Sequence, residues 1–136
     1  MYARISILFL VLLLAFVSCQ ERKADFFERD AREYTEKNCP QVFDQYTTLD
    51  SVVYVREKDG AGDLVQYYTL NLNEEARNEL MNKLGELAEM NLNAVRNSIV
   101  FAKHKEEGVS FTYIYHDATT GEKIVEYHFT KKDYQQ

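Results

Sequence analysis

The segment 109-VSFTYIYHDATTGEKIVEYHFTK-131 holds two β-prone runs around a turn, and its reading decides the fold. Aromatic and β-branched residues dominate both runs, the composition of strands on a pleated, half-buried surface. Between them, Thr119-Thr120-Gly121 ends on a glycine, where a three-residue hairpin loop wants a left-handed residue. Side chains alternate along a strand, and opposed residues of an antiparallel pair share a face. Such a loop sets Phe111 against Phe129, Tyr113 against Tyr127 and Tyr115 against Val125. That face is aromatic and must be covered. The other face carries Ser110, Thr112, Ile114 and His116 beside Ile124, Glu126, His128 and Thr130.

The same pattern occurs 59 residues upstream, in 51-SVVYVREKDGAGDLVQYYTLNL-72. Superposed without gaps, Ser51 falls on Ser110, Tyr54 on Tyr113, Gly62 on Gly121 and Tyr68 on Tyr127. Gly60-Ala61-Gly62 reads as the second turn, and Val52, Tyr54, Tyr68 and Leu70 join the covered face.

Helical patterns precede each hairpin. From about Glu21 to Lys37, Ala24, Phe27, Ala31 and Tyr34 recur at three- and four-residue steps, forming one stripe that "NCP" ends. The stretch 41-QVFDQYTTLD-50 reads as an irregular connector. Asn73 is placed to cap a second helix, with Glu74 and Glu75 at its positive end and Ala76, Leu80, Leu84 and Leu87 on its buried stripe. "NLN" at 91–93 is a break before a shorter helical stretch carrying Val95, Ile99 and Ala102, which Gly108 closes. The C-terminal "TKKDYQQ" reads as a solvated strand end. The expected fold is α+β in αββαββ order: a four-stranded, mainly antiparallel sheet with helices packed on one face.

If the helices cover the aromatic face, the other face is left open with aliphatic residues on it. Contiguous exposed apolar area beyond a few hundred Å² usually marks an interaction surface. The expected binding face is centred on Val53, Val55, Val65, Tyr67, Ile114 and Ile124 and rimmed by Thr112 and His128. The competing expectation is that the connector or the first helix folds over it.

Chemistry-bearing motifs are sparse. His116 and His128 sit on different strands at different heights, with no HxH or HExxH spacing, so no metal site is expected. His104, in "KHKEEG", reads as a cation near a helix C-terminus. Neither glycine-rich turn is flanked like a phosphate cradle, and no GxSxG is present. The chain is therefore expected not to be an enzyme and to need no cofactor. With 16 basic and 22 acidic residues and no Lys/Arg block, it is not expected to bind nucleic acid.

The N-terminus supplies an address. The uncharged run Ile5–Val17 spans about 20 Å as a helix, short of the roughly 30 Å of a bilayer core. Arg4 precedes it, and Ser18-Cys19 follows. A positive start, a short apolar middle and a small exit residue describe a secretory signal peptide. Val17-Ser18-Cys19 resembles the bacterial lipobox, with Phe16 where that motif usually has leucine. The resemblance implies loss of residues 1–18, acylation of Cys19 and a tether over 19–24, ahead of a single domain over 25–136. Two or more acyl chains anchor stably where one does not. Gln20 after the cysteine favours, by resemblance to lipoprotein sorting signals, an outer-membrane address. With Cys19 modified, Cys39 has no intrachain partner and reads as a small buried hydrophobe at a helix end.

As a whole the chain resembles small lipoproteins of Gram-negative anaerobes: lipobox, short helix, "CP", a "TTLDSVVY" strand and a tyrosine-rich last hairpin. No activity comes with that resemblance. The αββαββ order also resembles the repeated units of secreted β-lactamase-inhibitor proteins, by fold analogy alone. The expected role is a lipid-anchored envelope module. Its partner would be an envelope protein or a small ligand, met through the open face or the hairpin loops. A structural envelope component and an enzyme of unrecognised type are the alternatives.

Overall fold

A computed structural model describes residues 22–136. The expected signal peptide, Cys19 and the first part of the expected tether lie outside the described residues. No helix among those described is long and apolar enough to cross a membrane.

Helix α1 covers residues 22–38. Strands β1 (Gln41–Val42), β2 (Thr47–Val55) and β3 (Asp63–Leu70) follow, then helices α2 (Glu74–Asn82), α3 (Leu84–Asn97) and α4 (Ala102–Glu106). Strands β4 (Ser110–Asp117) and β5 (Lys123–Phe129) and a terminal helix α5 (Lys131–Tyr134) complete the chain. The five strands form one sheet in chain order. Neighbours are antiparallel except β3 and β4, which run parallel because three helices cross between them. The α+β class therefore holds, with a five-stranded mixed sheet in place of four mainly antiparallel strands.

The last hairpin pairs as alternation requires, with Phe111 opposite Phe129, Tyr113 opposite Tyr127 and Tyr115 opposite Val125. Gly121 has φ 72°. Asp117 shapes the same turn by accepting from the backbone N–H groups of Thr119 and Thr120, at 2.7 and 3.1 Å. Its other carboxylate oxygen is ion-paired with Arg77, which ties α2 to the turn. In the first hairpin the turn is longer than Gly60-Ala61-Gly62. Val55 pairs with Asp63 and Tyr54 with Leu64, so residues 56–62 lie between the strands. Faces are unaffected, since a move by an even number of residues keeps each side chain on its side.

The connector contains structure that its composition hides. Asp44 accepts from the N–H groups of Tyr46 and Thr47, at 2.7 and 2.8 Å, making a side-chain-closed turn between β1 and β2. Asp50 is an extra residue in β2, between the pairs Leu49–Tyr68 and Ser51–Tyr67, and it breaks the period-two pattern. Beyond β1, the outward edge of β2 is met by Thr35 of α1. Its hydroxyl donates to Val52 O at 2.8 Å and accepts from Val52 N–H at 2.9 Å.

The second helical region breaks at Lys83 rather than at "NLN". Asn73 caps α2 as expected, accepting from Ala76 N–H at 2.8 Å. α3 runs through Asn91, whose amide is buried against Tyr115: Nδ2 donates to the hydroxyl at 2.8 Å and the hydroxyl donates back to Oδ1 at 3.1 Å. A polar residue that finds such a partner need not end a helix. Ile99 is off the buried stripe, 89% exposed. Gly108, φ 76°, closes α4 with Val109 N–H bonded to His104 O and Gly108 N–H to Lys105 O, a Schellman end.

"TKKDYQQ" is not a strand end. Thr130 and Asp133 form a capping box over α5, and Tyr134 is buried with its hydroxyl donating to Val109 O at 3.0 Å.

Phe27 and Ala31 of α1, Val95 of α3 and Tyr134 of α5 all belong to one core cluster with the aromatic sheet face. Phe111, Val109 and Val95 are fully buried at its centre. The helices thus lie on one side of the sheet.

Candidate functional site

Strand pairing arranges the opposite face in rows. Val53, Val65, Thr112 and His128 are successive cross-strand partners from β2 to β5. The next row is Ser51, Tyr67, Ile114 and Glu126, and the row on the other side is Val55, Asp63 and Ser110. No described helix packs here. Val53 and Val55, in the part of β2 that β1 does not pair with, are 42% and 44% exposed. Tyr67 and Ile114 are half-buried, and Tyr67 stacks on His116 with ring centroids 6.4 Å apart. The competing expectation, the connector or the first helix folded over this face, does not hold: α1 sits against the aromatic side, and the connector joins the sheet as β1 and the start of β2.

Not every expected residue offers surface. Val65 and Thr112 lie in the two central strands and are 6% and 4% exposed, so they support the face more than they present it. Ile124 falls at the irregular step between the pairs Tyr115–Val125 and His116–Lys123, and it packs against the core cluster. What the face presents is Val53 and Val55, exposed, and Tyr67 and Ile114, half-buried, with the exposed Glu126 and His128 beside them.

Thr112 and His128 do come together, with a third group that the sequence did not single out. The Thr112 hydroxyl lies 2.7 Å from Asp63 Oδ2, to which it donates, and 2.8 Å from His128 Nδ1. His128 Nδ1 is itself 3.7 Å from Asp63 Oδ2. A nucleophile–base–acid relay needs opposite nitrogens of the imidazole for its two partners. Here one nitrogen faces both, so Thr112 serves as a bridge between Asp63 and His128. Among the described residues no group of three or more His, Cys, Asp or Glu side chains is arranged to hold a metal ion.

Two openings among the described residues lie on the other side of the sheet. One, of about 730 Å³, lies between the start of α1 and the first hairpin turn, with Phe27, Tyr54 and several charged side chains in its lining. Arg56 bonds Asp25 and Glu28, and Lys23 bonds Glu107 at 2.9 Å. The second, of about 280 Å³, lies between α1 and the link from α3 to α4, floored by Leu49, Val52, Leu64 and Gln66. His104 lines it too, and is not an exposed cation at a helix end. It is 5% exposed, stacked on Phe27 at 4.4 Å, and burial holds its imidazole below the usual range against the opposing pull of Asp30. Gln66 had a signal in sequence: it is the polar residue at an inward position of "LVQYY".

The aromatic core has its hydroxyls placed. Tyr127 donates to Leu84 O at 2.6 Å, Tyr54 to Ala61 O at 2.5 Å and Tyr68 to Gln66 Oε1 at 3.0 Å. Burial pushes the Tyr115 phenol up to about 12, with the Asn91 bond working the other way. Cys39 is a free thiol, half-buried against the core, and burial raises it as well.

The family described as a domain of unknown function (DUF8479) matches residues 22–125, and the chain belongs to it. No curated protein matches the chain. Among solved structures, a Pseudomonas aeruginosa protein described as secreted superposes with a TM-score of 0.68 at 11% identity, over 84% of this chain and 94% of that one. The pilotin EpsS of the Vibrio vulnificus type 2 secretion system superposes with a TM-score of 0.58 at 10% identity, over 88% and 98%. At such identities the likeness is one of fold.

Proposed function

We propose that this DUF8479 domain is a non-catalytic binding or accessory module of the cell envelope. An acylated Cys19 holds it at the outer membrane, and it works through the sheet face that its helices leave open. The observation that carries the reading is the one-sided helical layer, which leaves Val53, Val55, Tyr67 and Ile114 adjacent on a face no described element covers. Apolar side chains grouped on an uncovered sheet face are where a partner would dock. The fold likeness to a secretion-system pilotin and to a secreted protein supports the address and the accessory character. The arrangement of Asp63, Thr112 and His128 supports a role without catalysis.

The test is a photo-crosslinking residue at position 55 in the full chain, expressed in its own envelope, with a second at Met81 of α2, 50% exposed, as control. Adducts at 55 that are absent at 81, and lost in Ile114→Asp, are expected. Equal labelling at both positions, or none at 55, overturns the reading. Mass spectrometry of the native N-terminus checks the anchor independently, and an unmodified Cys19 would remove it.

A further inference from the structure

Ile99 and Val100, side by side in the link from α3 to α4, are 89% and 81% exposed. The turn does not need them turned outward. It is closed by Ala102 N–H on Ile99 O at 3.1 Å and Phe101 N–H on the Ser98 hydroxyl at 3.3 Å, and it is held from inside by Phe101 against the core. Single aliphatics on a surface are ordinary, whereas adjacent ones at a projecting turn make a patch.

Contacts with α1 fix where this turn lies. α4 runs back along α1: the Lys23 ammonium meets Glu107 at 2.9 Å, the Lys103 ammonium sits 5.1 Å from the Phe26 ring centroid, and His104 stacks on Phe27. Val100 lines the smaller opening together with Asp30 and Tyr34, further along α1. The outer surface of this helix pair therefore carries Phe26, 38% exposed, with Ile99 and Val100, and the exposed cations Arg22, Arg29 and Lys103 stand among them. Arg29 also approaches the Phe26 ring, at 5.9 Å from its centroid. Long cationic side chains beside exposed apolar ones suit a membrane interface, where the stems cover apolar surface and the heads reach phosphates. Asp30 and Glu33 share this side of α1, so the cationic excess is small and apolar contact has to carry any docking.

The end of the chain supplies the occupant. Arg22, the first described residue of α1, is three residues after Cys19. Three residues reach at most about 11 Å in any conformation. An acylated Cys19 thus keeps the start of α1 at the lipid headgroups, and the turn beside residues 30–34 lies about 15 Å further along the helix. We infer that α1 lies along the bilayer surface, with Phe26, Ile99 and Val100 entering the boundary between headgroups and acyl chains. The inference rests on the Cys19 anchor of the proposed function. It turns the open sheet face away from the lipid, because that face and the helices are on opposite sides of the sheet.

The chain has no tryptophan, so one introduced by Ile99→Trp is its sole indole. The full lipid-modified protein, purified from its own envelope, is reconstituted into vesicles of phosphatidylethanolamine and phosphatidylglycerol, with or without brominated acyl chains. Strong quenching by the brominated lipid is expected for Ile99→Trp and none for Val53→Trp on the open face. Loss of one buried valine corresponds to roughly tenfold in the ratio of docked to undocked protein, so adding Val100→Asp to Ile99→Trp should remove most of the quenching. If the protein floats with the vesicles and the indole at 99 is unquenched, or is quenched no more than the one at 53, the proposal falls and the anchor stands. Quenching that survives Val100→Asp also overturns it. Protein that does not float removes the anchor and the proposal together. An indole at 99 that is shielded from iodide in native envelopes yet untouched by brominated lipid marks a protein as the occupant, which overturns the proposal as well.

Discussion

The Asn91–Tyr115 pair fixes α3 to the sheet, and a double-mutant cycle measures how firmly. Both residues are buried, at 8% and 5% exposure, and each donates to the other. Asn91→Leu keeps the branched heavy-atom skeleton but strands the phenol of Tyr115 in the core. An unmatched buried hydroxyl costs about 1–3 kcal/mol, and the apolar side chain offsets part of that, so a loss of about 2 kcal/mol is expected. Tyr115→Phe strands the Asn91 amide, which has both a donor and an acceptor to lose, and should cost about 2–3 kcal/mol. The double variant leaves neither group behind and should fall within about 1 kcal/mol of the natural protein. The coupling is then about 3 kcal/mol, far above the few tenths typical of independent sites. Urea unfolding at 25 °C on the four proteins reads it directly. For a domain of this size each kcal/mol also shifts the thermal midpoint by roughly 4 °C. Additive single losses would refute the pairing, and with it the explanation of why "NLN" stays helical.

Two further outcomes follow from local geometry. Gly62 has φ 88°, and a Cβ there would press on the Tyr54 ring, with Cε2 2.8 Å away. Gly62→Ala should therefore cost at least about 2 kcal/mol by the same unfolding assay, combining left-handed strain with a steric clash, whereas Gly121→Ala, with nothing within 4 Å, carries the strain alone and should cost less. His104 is held below its unfolded value of about 6.5 by burial. The unfolded chain then binds the extra proton first, so this residue's contribution is complete above pH 6.5 and is lost as pH falls through the folded value. Stability measured at pH 7.5 and 5.0 should drop for the natural protein and drop less for His104→Phe; an equal drop in both would place the titration elsewhere.

Alternation made the aromatic side of the sheet readable, because Phe111, Tyr113 and Tyr115 repeat with a period no helix shares. The same reasoning missed whatever depended on a side chain closing a backbone turn. β1 is two residues long and is made by Asp44 accepting from the chain ahead of it, which no glycine or proline announces. Asp50, extra in its strand, shifted the apparent start of β2. Asn91 looked like a breaker because its partner lies 24 residues away. Ile124 was assigned to the open face on strict alternation, and one irregular pairing step next to the turn placed it against the core. For the open face, parity was legible and exposure was not. Val65 and Thr112 have the right parity, but whether a position is central or at the edge depends on the order of strands, which only the helical crossover between β3 and β4 decides.

That crossover also determines how the two sides of the sheet relate. Because β3 pairs in parallel with β4, it is an inner strand, and consecutive residues along it serve opposite sides: Leu64 and Gln66 floor the cavity while Val65 and Tyr67 belong to the open face. A sheet is one side chain thick in each direction, so any change that shifts the backbone of β3 is felt on both surfaces. Substitutions that perturb one side at a time are therefore best taken from the strands or helices that serve one side only. Val55 at the end of β2 and Ile114 in β4 perturb the open face, whereas Ala31 on α1 and Phe101 at the start of α4 perturb the cavity.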